Sequence, residues 1–294
     1  MTEIVTPKRV FHPAREDAEV ANHPTAAPQT SHPAYSLAFQ DMDFLLREDL
    51  RPVRFQLELL KPELLLDEAG IESTFVFYGS ARIPEPAKAD ALIEAASTDY
   101  QRKVAERLKA KSIYYDEARR LAAKVSCIAP APSGGRQFVV CSGGGPSIME
   151  AANRGAADVG QESIGLNITL RHEQMPNPYV TPSLSFQFHY FALRKMHFLL
   201  RARAIAVFPG GFGTFDEMFE LLTLIQTGKI KPMPIVLFGR EFWERVVNWE
   251  ALAEEGTINQ DDLDLFKFVE TAEEAWDHVA AFWSDQGETL VAAA

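Results

Sequence analysis

The stretch AIAVFPGGFGTFDEMFELLTLIQTG, residues 204–228, decides the fold. Ala204–Phe208 is short, apolar and bounded by a turn, as a strand buried on both faces reads. Pro209-Gly210-Gly211-Phe212-Gly213-Thr214 carries too much glycine to extend a strand or open the interior of a helix. FDEMFELLTLIQTG then repeats its apolar positions near a 3.6-residue period and closes on Gly228, so a helix follows. Strand, glycine turn and helix together form one unit of a parallel sheet.

Outward from this unit the same order recurs. Thr74–Tyr78 (TFVFY) runs into Gly79-Ser80, and Gln137–Cys141 runs into Ser142-Gly143-Gly144-Gly145-Pro146 and the helical stretch IMEAANRGAADVG, ending at Gly160. Further strands are expected at Ser163–Leu170, Leu184–Phe188 and Pro234–Phe238, and further helices at Ala192–Arg203, around 241–255 and over 272–285. The alternation predicts an α/β fold: a Rossmann-like, doubly wound parallel sheet with helices on both faces, since right-handed crossovers place them there. This domain is expected to span 71–294, with a helical insertion at about 88–128 that ends in the loop PAPSGGR. Residues 35–70 read as a helical extension of two or three short helices, interrupted by Pro52 and Pro62. Residues 1–34, with Pro7, Pro13, Pro24, Pro28 and Pro33, read as a flexible arm or a strap.

Composition narrows the function. The 294 residues are 47% apolar and 24% charged, an ordinary globular balance, and 41 acidic against 29 basic residues leave a formal charge of −12. A chain this acidic is a poor general binder of nucleic acid or anionic membrane, so neither is expected as a partner, and an anionic ligand needs its own local cradle. Cys127 and Cys141 are too few for a disulfide framework or a four-ligand zinc site, which together with an N-terminus lacking an apolar leader points to a cytoplasmic protein. His172, His189 and His197 show no metal-ligand spacing, so no metal and no cofactor are assigned.

In a parallel sheet of this kind ligands bind at the carboxyl ends of the strands, where helix N-termini offer unpaired N–H groups and a positive dipole end. Two such ends carry glycine clusters, 143–145 and 210, 211 and 213. Glycine there either merely permits a tight turn or lets backbone approach a phosphate. Neither cluster fits the common nucleotide templates. From Gly143 the sixth position is Ile148 instead of glycine or alanine, and Gly228-Lys229, the sole Gly-Lys pair, continues into Ile230 without the Ser or Thr of a P-loop. For the second cluster a purely structural reading is available: Thr214 as N-cap and Glu217 three residues on would form a capping box. Against it, Glu217 and Glu220 share a helix face beside a possible phosphate, where a carboxylate is tolerated only if it meets another part of the ligand, such as a ribose.

PGGFGTFDE (209–217) resembles the PGGxGTxxE signature of the Lonely Guy family, cytokinin riboside 5′-monophosphate phosphoribohydrolases formerly labelled lysine decarboxylases. Arg194-Lys195 is similar to that family's RK pair, SGGGPSIMEAANRGA (142–156) to its first glycine loop and helix, and YGSAR (78–82) to its opening strand and turn. Ser147 stands where many bacterial relatives have glycine. The resemblance implies hydrolysis of the N-glycosidic bond of a nucleoside 5′-monophosphate, either a cytokinin riboside monophosphate or AMP, to free base and ribose 5-phosphate. It implies Glu217 and Arg194 as catalytic residues. Gly210, Gly211, Gly213 and Thr214 would hold the phosphate, with Lys195, Ser80, Gly144 and Gly145 as further phosphate or ribose contacts. Glu220 would accept ribose hydroxyls, and Met149 or Glu150 would flank the base. It also implies a homodimer or hexamer. No feature specifies a pyridoxal phosphate site, and a nucleotide-binding module without turnover, in which Glu217 only caps its helix, is the alternative.

Overall fold

The computed structural model describes residues 12–170 and 175–291. Residues 1–11 of the expected arm, and His172, lie outside the described residues. Seven strands form one wholly parallel sheet: β1 (Thr74–Tyr78), β2 (Val139–Ser142), β3 (Ile164–Ile168), β4 (Ser185–Phe188), β5 (Ala202–Val207), β6 (Ile235–Phe238) and β7 (Lys267–Val269). Their spatial order is β4-β3-β2-β1-β5-β6-β7. The chain therefore winds outward from β1 to one edge, returns, and winds to the other, which places the topological switch between β1 and β5. The six strands expected from sequence all form. The seventh is a three-residue edge strand whose first residue is exposed, too short to announce itself by pattern.

The described helices are α1 (Ala14–Ala21), α2 (Met42–Leu45), α3 (Arg51–Glu68), α4 (Ala89–Glu94), α5 (Asp99–Ala110), α6 (Ile113–Ser126), α7 (Ile148–Asp158), α8 (Phe191–Leu200), α9 (Phe212–Gln226), α10 (Arg240–Val246), α11 (Trp249–Glu254) and α12 (Ala272–Asp285). Alternation along β1 explains the two layers. Phe75 and Phe77 point into a core with Leu121 and Val125 of α6, Ala152 of α7 and Val279 of α12, while Tyr78 meets Phe198 of α8 edge-on at 5.1 Å. Phe208 and Phe238 stack at 4.1 Å inside the first layer. Thr271 and Glu274 cap α12 reciprocally, so this helix begins where its sequence signals it.

The expected insertion is only partly one. α4 and α5 are additions, but α6 buries Tyr115, Ala118, Leu121, Ala122 and Val125 and is the crossover helix between β1 and β2. Nor does Pro62 break its helix: α3 runs unbroken through it, at the loss of one backbone donor, while Pro52 sits in the first turn, where no donor is required. The chain divides into two compact units, Met1–Glu58 and Leu59–Ala294, with the division inside α3. None of residues 12–58 is buried, so the described part of the first unit has no core of its own. No described helix is long and apolar enough to cross a membrane.

α6 and α7 pack closely because Gly155 lets them. A Cβ there would lie 2.2 Å from the Arg119 carbonyl oxygen and 2.8 Å from the Ala122 Cβ. On an exposed helix Gly→Ala gains up to about 1 kcal/mol; here the sign reverses, and Gly155→Ala is expected to lower the unfolding free energy by about 1–3 kcal/mol in urea titration.

Candidate active site

The turns after β1, β2 and β5 converge at the switch point and bond to one another. Ser80 N–H donates to the Pro209 carbonyl at 3.1 Å, and Ile148 N–H donates to the Ser80 carbonyl at 3.3 Å. The turn after β1 is thus tied to both glycine turns. A cavity of about 940 Å³ opens there, within the size range of small-molecule sites.

The turn after β5 differs from its sequence reading. Helix α9 starts at Phe212 with Gly211 as N-cap, so Thr214 is the third helical residue and Glu217 the sixth. The capping box is absent, and the helix start carries no side-chain cap and no acid in its first turn. Its orphan N–H groups and dipole end face the cavity uncompensated by any side chain. The glycines separate by cause. A Cβ on Gly210 would strike Thr214 Oγ1 at 2.2 Å, so the fold itself requires that glycine. Cβ atoms on Gly211 and Gly213 would meet nothing within 4 Å. Both line the cavity, and their missing side chains leave space that the protein does not fill.

Glu217 is mostly buried, and its Oε1 accepts a hydrogen bond from Arg194 Nη1 at 3.1 Å. Arg194, on α8, is fixed from two more sides: Nε donates to the Leu166 carbonyl at 2.7 Å, and its guanidinium lies 5.0 Å from the Phe198 ring centre. Gly143 makes room for it, since a Cβ there would come within 2.5 Å of Arg194 Nη2. Burial pushes the Glu217 carboxyl up to about 7; Arg194 opposes the shift without cancelling it, and Asp216 adds to it. The carboxyl is therefore poised between its two protonation states at neutral pH.

The other predicted site residues divide. Ser80, Gly145, Met149, Thr214 and the four residues Gly210, Gly211, Gly213 and Glu217 line the cavity with Arg194. Lys195 does not; its Nζ bridges Asp216 at 2.9 Å and Glu220 at 3.0 Å on the adjacent helix. Burial lowers the Lys195 pKa, but those two carboxylates outweigh it and hold the ammonium protonated, a poor Schiff-base nucleophile. Glu220 is engaged in the same bridge, and Glu150 accepts a hydrogen bond from the Tyr115 hydroxyl at 3.0 Å, so neither lines the cavity. Gly144 lies just behind the wall at φ +70°, with the Asn167 amide where its Cβ would be. Phe188 is buried in the core, whereas Phe191 lines the cavity. Ser147 adopts φ 66°, a backbone region that explains glycine in its place elsewhere, and its hydroxyl donates to the Ile83 carbonyl.

Sequence reasoning missed Asn167, Phe212 and Arg82 in the wall. Asn167 was detectable as the one polar residue inside the apolar run IGLNI. Phe212 is 96% exposed at the cavity and gave no signal, because the turn, not the residue type, decides which way it points. Among the described residues no three His, Cys, Asp or Glu side chains converge as metal ligands.

Fold and site together define an α/β protein with a nucleotide-sized cavity at the switch point of its sheet. Residues 149–279, a little under half the chain, match the family described as "Possible lysine decarboxylase", and the match includes Arg194, Lys195 and PGGFGTFDE. Over this segment the chain is similar to that family, in line with the resemblance carried by its motifs. No curated protein matches. Among solved structures the chain resembles the molybdenum cofactor binding protein of Rippkaea orientalis at 13% identity and a TM-score of 0.45, covering 72% of this chain and 98% of that one. It also resembles the Moco carrier protein of Chlamydomonas reinhardtii at 15% identity and a TM-score of 0.42, covering 72% and 99% respectively. Similarity at this level carries no functional argument.

A raised carboxyl pKa has a cost in stability. Between the unfolded value near 4.5 and the folded value near 7 the folded state binds more protons, so stability falls as pH rises through this window. Glu217→Gln removes the cost. Relative to this variant, which leaves Arg194 without its carboxylate at every pH, the wild type is expected to lose stability on the order of 2–3 kcal/mol between pH 5 and pH 8 in calorimetric scans.

Proposed function

We propose that the protein hydrolyses the N-glycosidic bond of a nucleoside 5′-monophosphate, releasing free base and ribose 5-phosphate. The observation that carries this reading is the buried Glu217 carboxyl, one helical turn beyond an uncapped glycine helix start and bonded to Arg194. Backbone N–H groups at Phe212 to Thr214 would take the 5′-phosphate. From Gly213 to Glu217 the helix rises about 6 Å, comparable to the span of a ribose from its 5′-phosphate to C1′. The carboxyl then faces the anomeric carbon.

The chemistry needs what Glu217 supplies. As the C1′–N bond lengthens, positive charge spreads over C1′ and the ring oxygen, and a nearby carboxylate stabilises it more in the transition state than in the ground state. The same carboxylate accepts a proton from the attacking water. The new C1′–O bond forms as the C1′–N bond breaks, and one proton ends on the departing base. A pKa near 7 suits both acceptance and return of that proton. Arg194 holds the carboxylate in place and favours its charged form once ligand excludes water. The apolar part of the cavity, with Met149, Ile168 and Leu170, suits a flat base or a prenylated one.

Incubation with AMP and N6-prenylated AMP, followed by chromatography of the free base, tests the reading. Glu217→Gln is expected to keep nucleotide affinity and lose at least about 100-fold in kcat. In the wild type kcat/KM is expected to rise as pH passes through about 7, as the base ionises. Undiminished release by the variant removes Glu217 from the mechanism, and binding without release by the wild type leaves a nucleotide-binding module. A second variant probes the cradle alone: Gly211→Ala is expected to keep the wild-type Tm, because its Cβ meets nothing, yet to bind AMP at least about 10-fold more weakly.

A further inference from the structure

We infer that Arg82 is the cation that pairs with the substrate's phosphate and makes the site select a phosphorylated nucleoside over the bare one. The inference rests on the function proposed above and deepens it. Backbone amides offer a phosphate partial charges only, and this chain carries a formal charge of −12. A dianion entering beside the Glu217 carboxyl needs at least one full positive charge that is not already matched.

The described cations at and beside the cavity wall differ in what already matches them. Arg194 is matched by Glu217 and held by the Leu166 carbonyl and the Phe198 ring. Lys195 is matched twice, by Asp216 and Glu220, and lies outside the wall. Arg82 lines the cavity, and among the described residues no hydrogen bond or ion pair engages its guanidinium. Its backbone, by contrast, is well held. Arg82 N–H donates to Ser80 Oγ at 2.9 Å, and Ser80 bonds through its own main chain to Pro209 on one side and Ile148 on the other. Gly79, at the root of the turn, packs so closely on Ile148 that a Cβ would fall within 2.6 Å of it. A fixed turn between two glycine loops therefore presents an exposed guanidinium, unmatched among the described residues, to the cavity that the uncapped start of α9 also lines. A guanidinium fork fits two phosphate oxygens at once, which no single ammonium does.

Calorimetric titration of the full chain decides the matter with AMP, ribose 5-phosphate and adenosine as the three ligands. Arg82→Ala is expected to weaken AMP and ribose 5-phosphate alike by roughly 10- to 100-fold and to leave adenosine within about twofold of the wild type. Arg82→Lys should recover part of the loss, because a point charge remains without the fork, and Arg102→Ala, on the exposed face of α5, should change none of the three. Unchanged AMP affinity in Arg82→Ala, or an equal loss for adenosine, overturns the inference. A wild type that binds neither phosphate compound overturns it together with the proposed function. Binding without release of base retires hydrolysis alone, since affinity decides the role of Arg82 without turnover.

Discussion

The bond between Arg194 and Glu217 is the constraint on which the site depends. A carboxyl buried to this degree resists ionisation, and without the guanidinium 3.1 Å away its charged form would be still harder to reach. The pair joins α8 to α9, and through Arg194 Nε it also reaches the backbone of β3. Three elements that are distant in sequence are thereby held at one point, and the cavity wall is built around that point. Breaking the pair would leave a buried charge on either side, which is costlier than never having placed it.

The glycines record two different demands. Gly79, Gly143 and Gly210 are small because protein atoms occupy the space: Ile148, Arg194 and Thr214 respectively. Gly211 and Gly213 answer to no neighbour. Glycine where no neighbour asks for it, at an uncapped helix start facing a cavity, is the feature on which the proposed phosphate binding rests.

Charge follows a similar division. Among the described residues Lys195 and Arg194 are spent on the protein itself, in the bridge to α9 and in the pair with Glu217. These hold α8 against α9 and position the carboxyl. The proposed anion site therefore rests on the amides of the α9 start and on Arg82, whose guanidinium is unmatched among the described residues.

The strand–glycine–helix units at residues 74–80, 137–160 and 204–228 were legible from sequence because burial on both faces demands continuous apolar runs and the turns demand glycine. The order of those units sufficed for the sheet class, and PGGFGTFDE with Arg194-Lys195 sufficed for the family resemblance. Sequence could not place the start of α9, because Thr214 and Glu217 carry a legitimate capping pattern that the backbone, beginning its helix at Phe212, does not use. Nor could it show that Lys195, given a phosphate or ribose contact beside the catalytic Arg194, turns instead to Asp216 and Glu220 while Arg194 reaches Glu217. Local pattern determined which segments are strands and helices, since period and turn chemistry are properties of neighbouring residues. The tertiary structure alone decided which side chains share the cavity, because burial, pairing and the pKa of Glu217 arise from contacts between residues far apart in the chain.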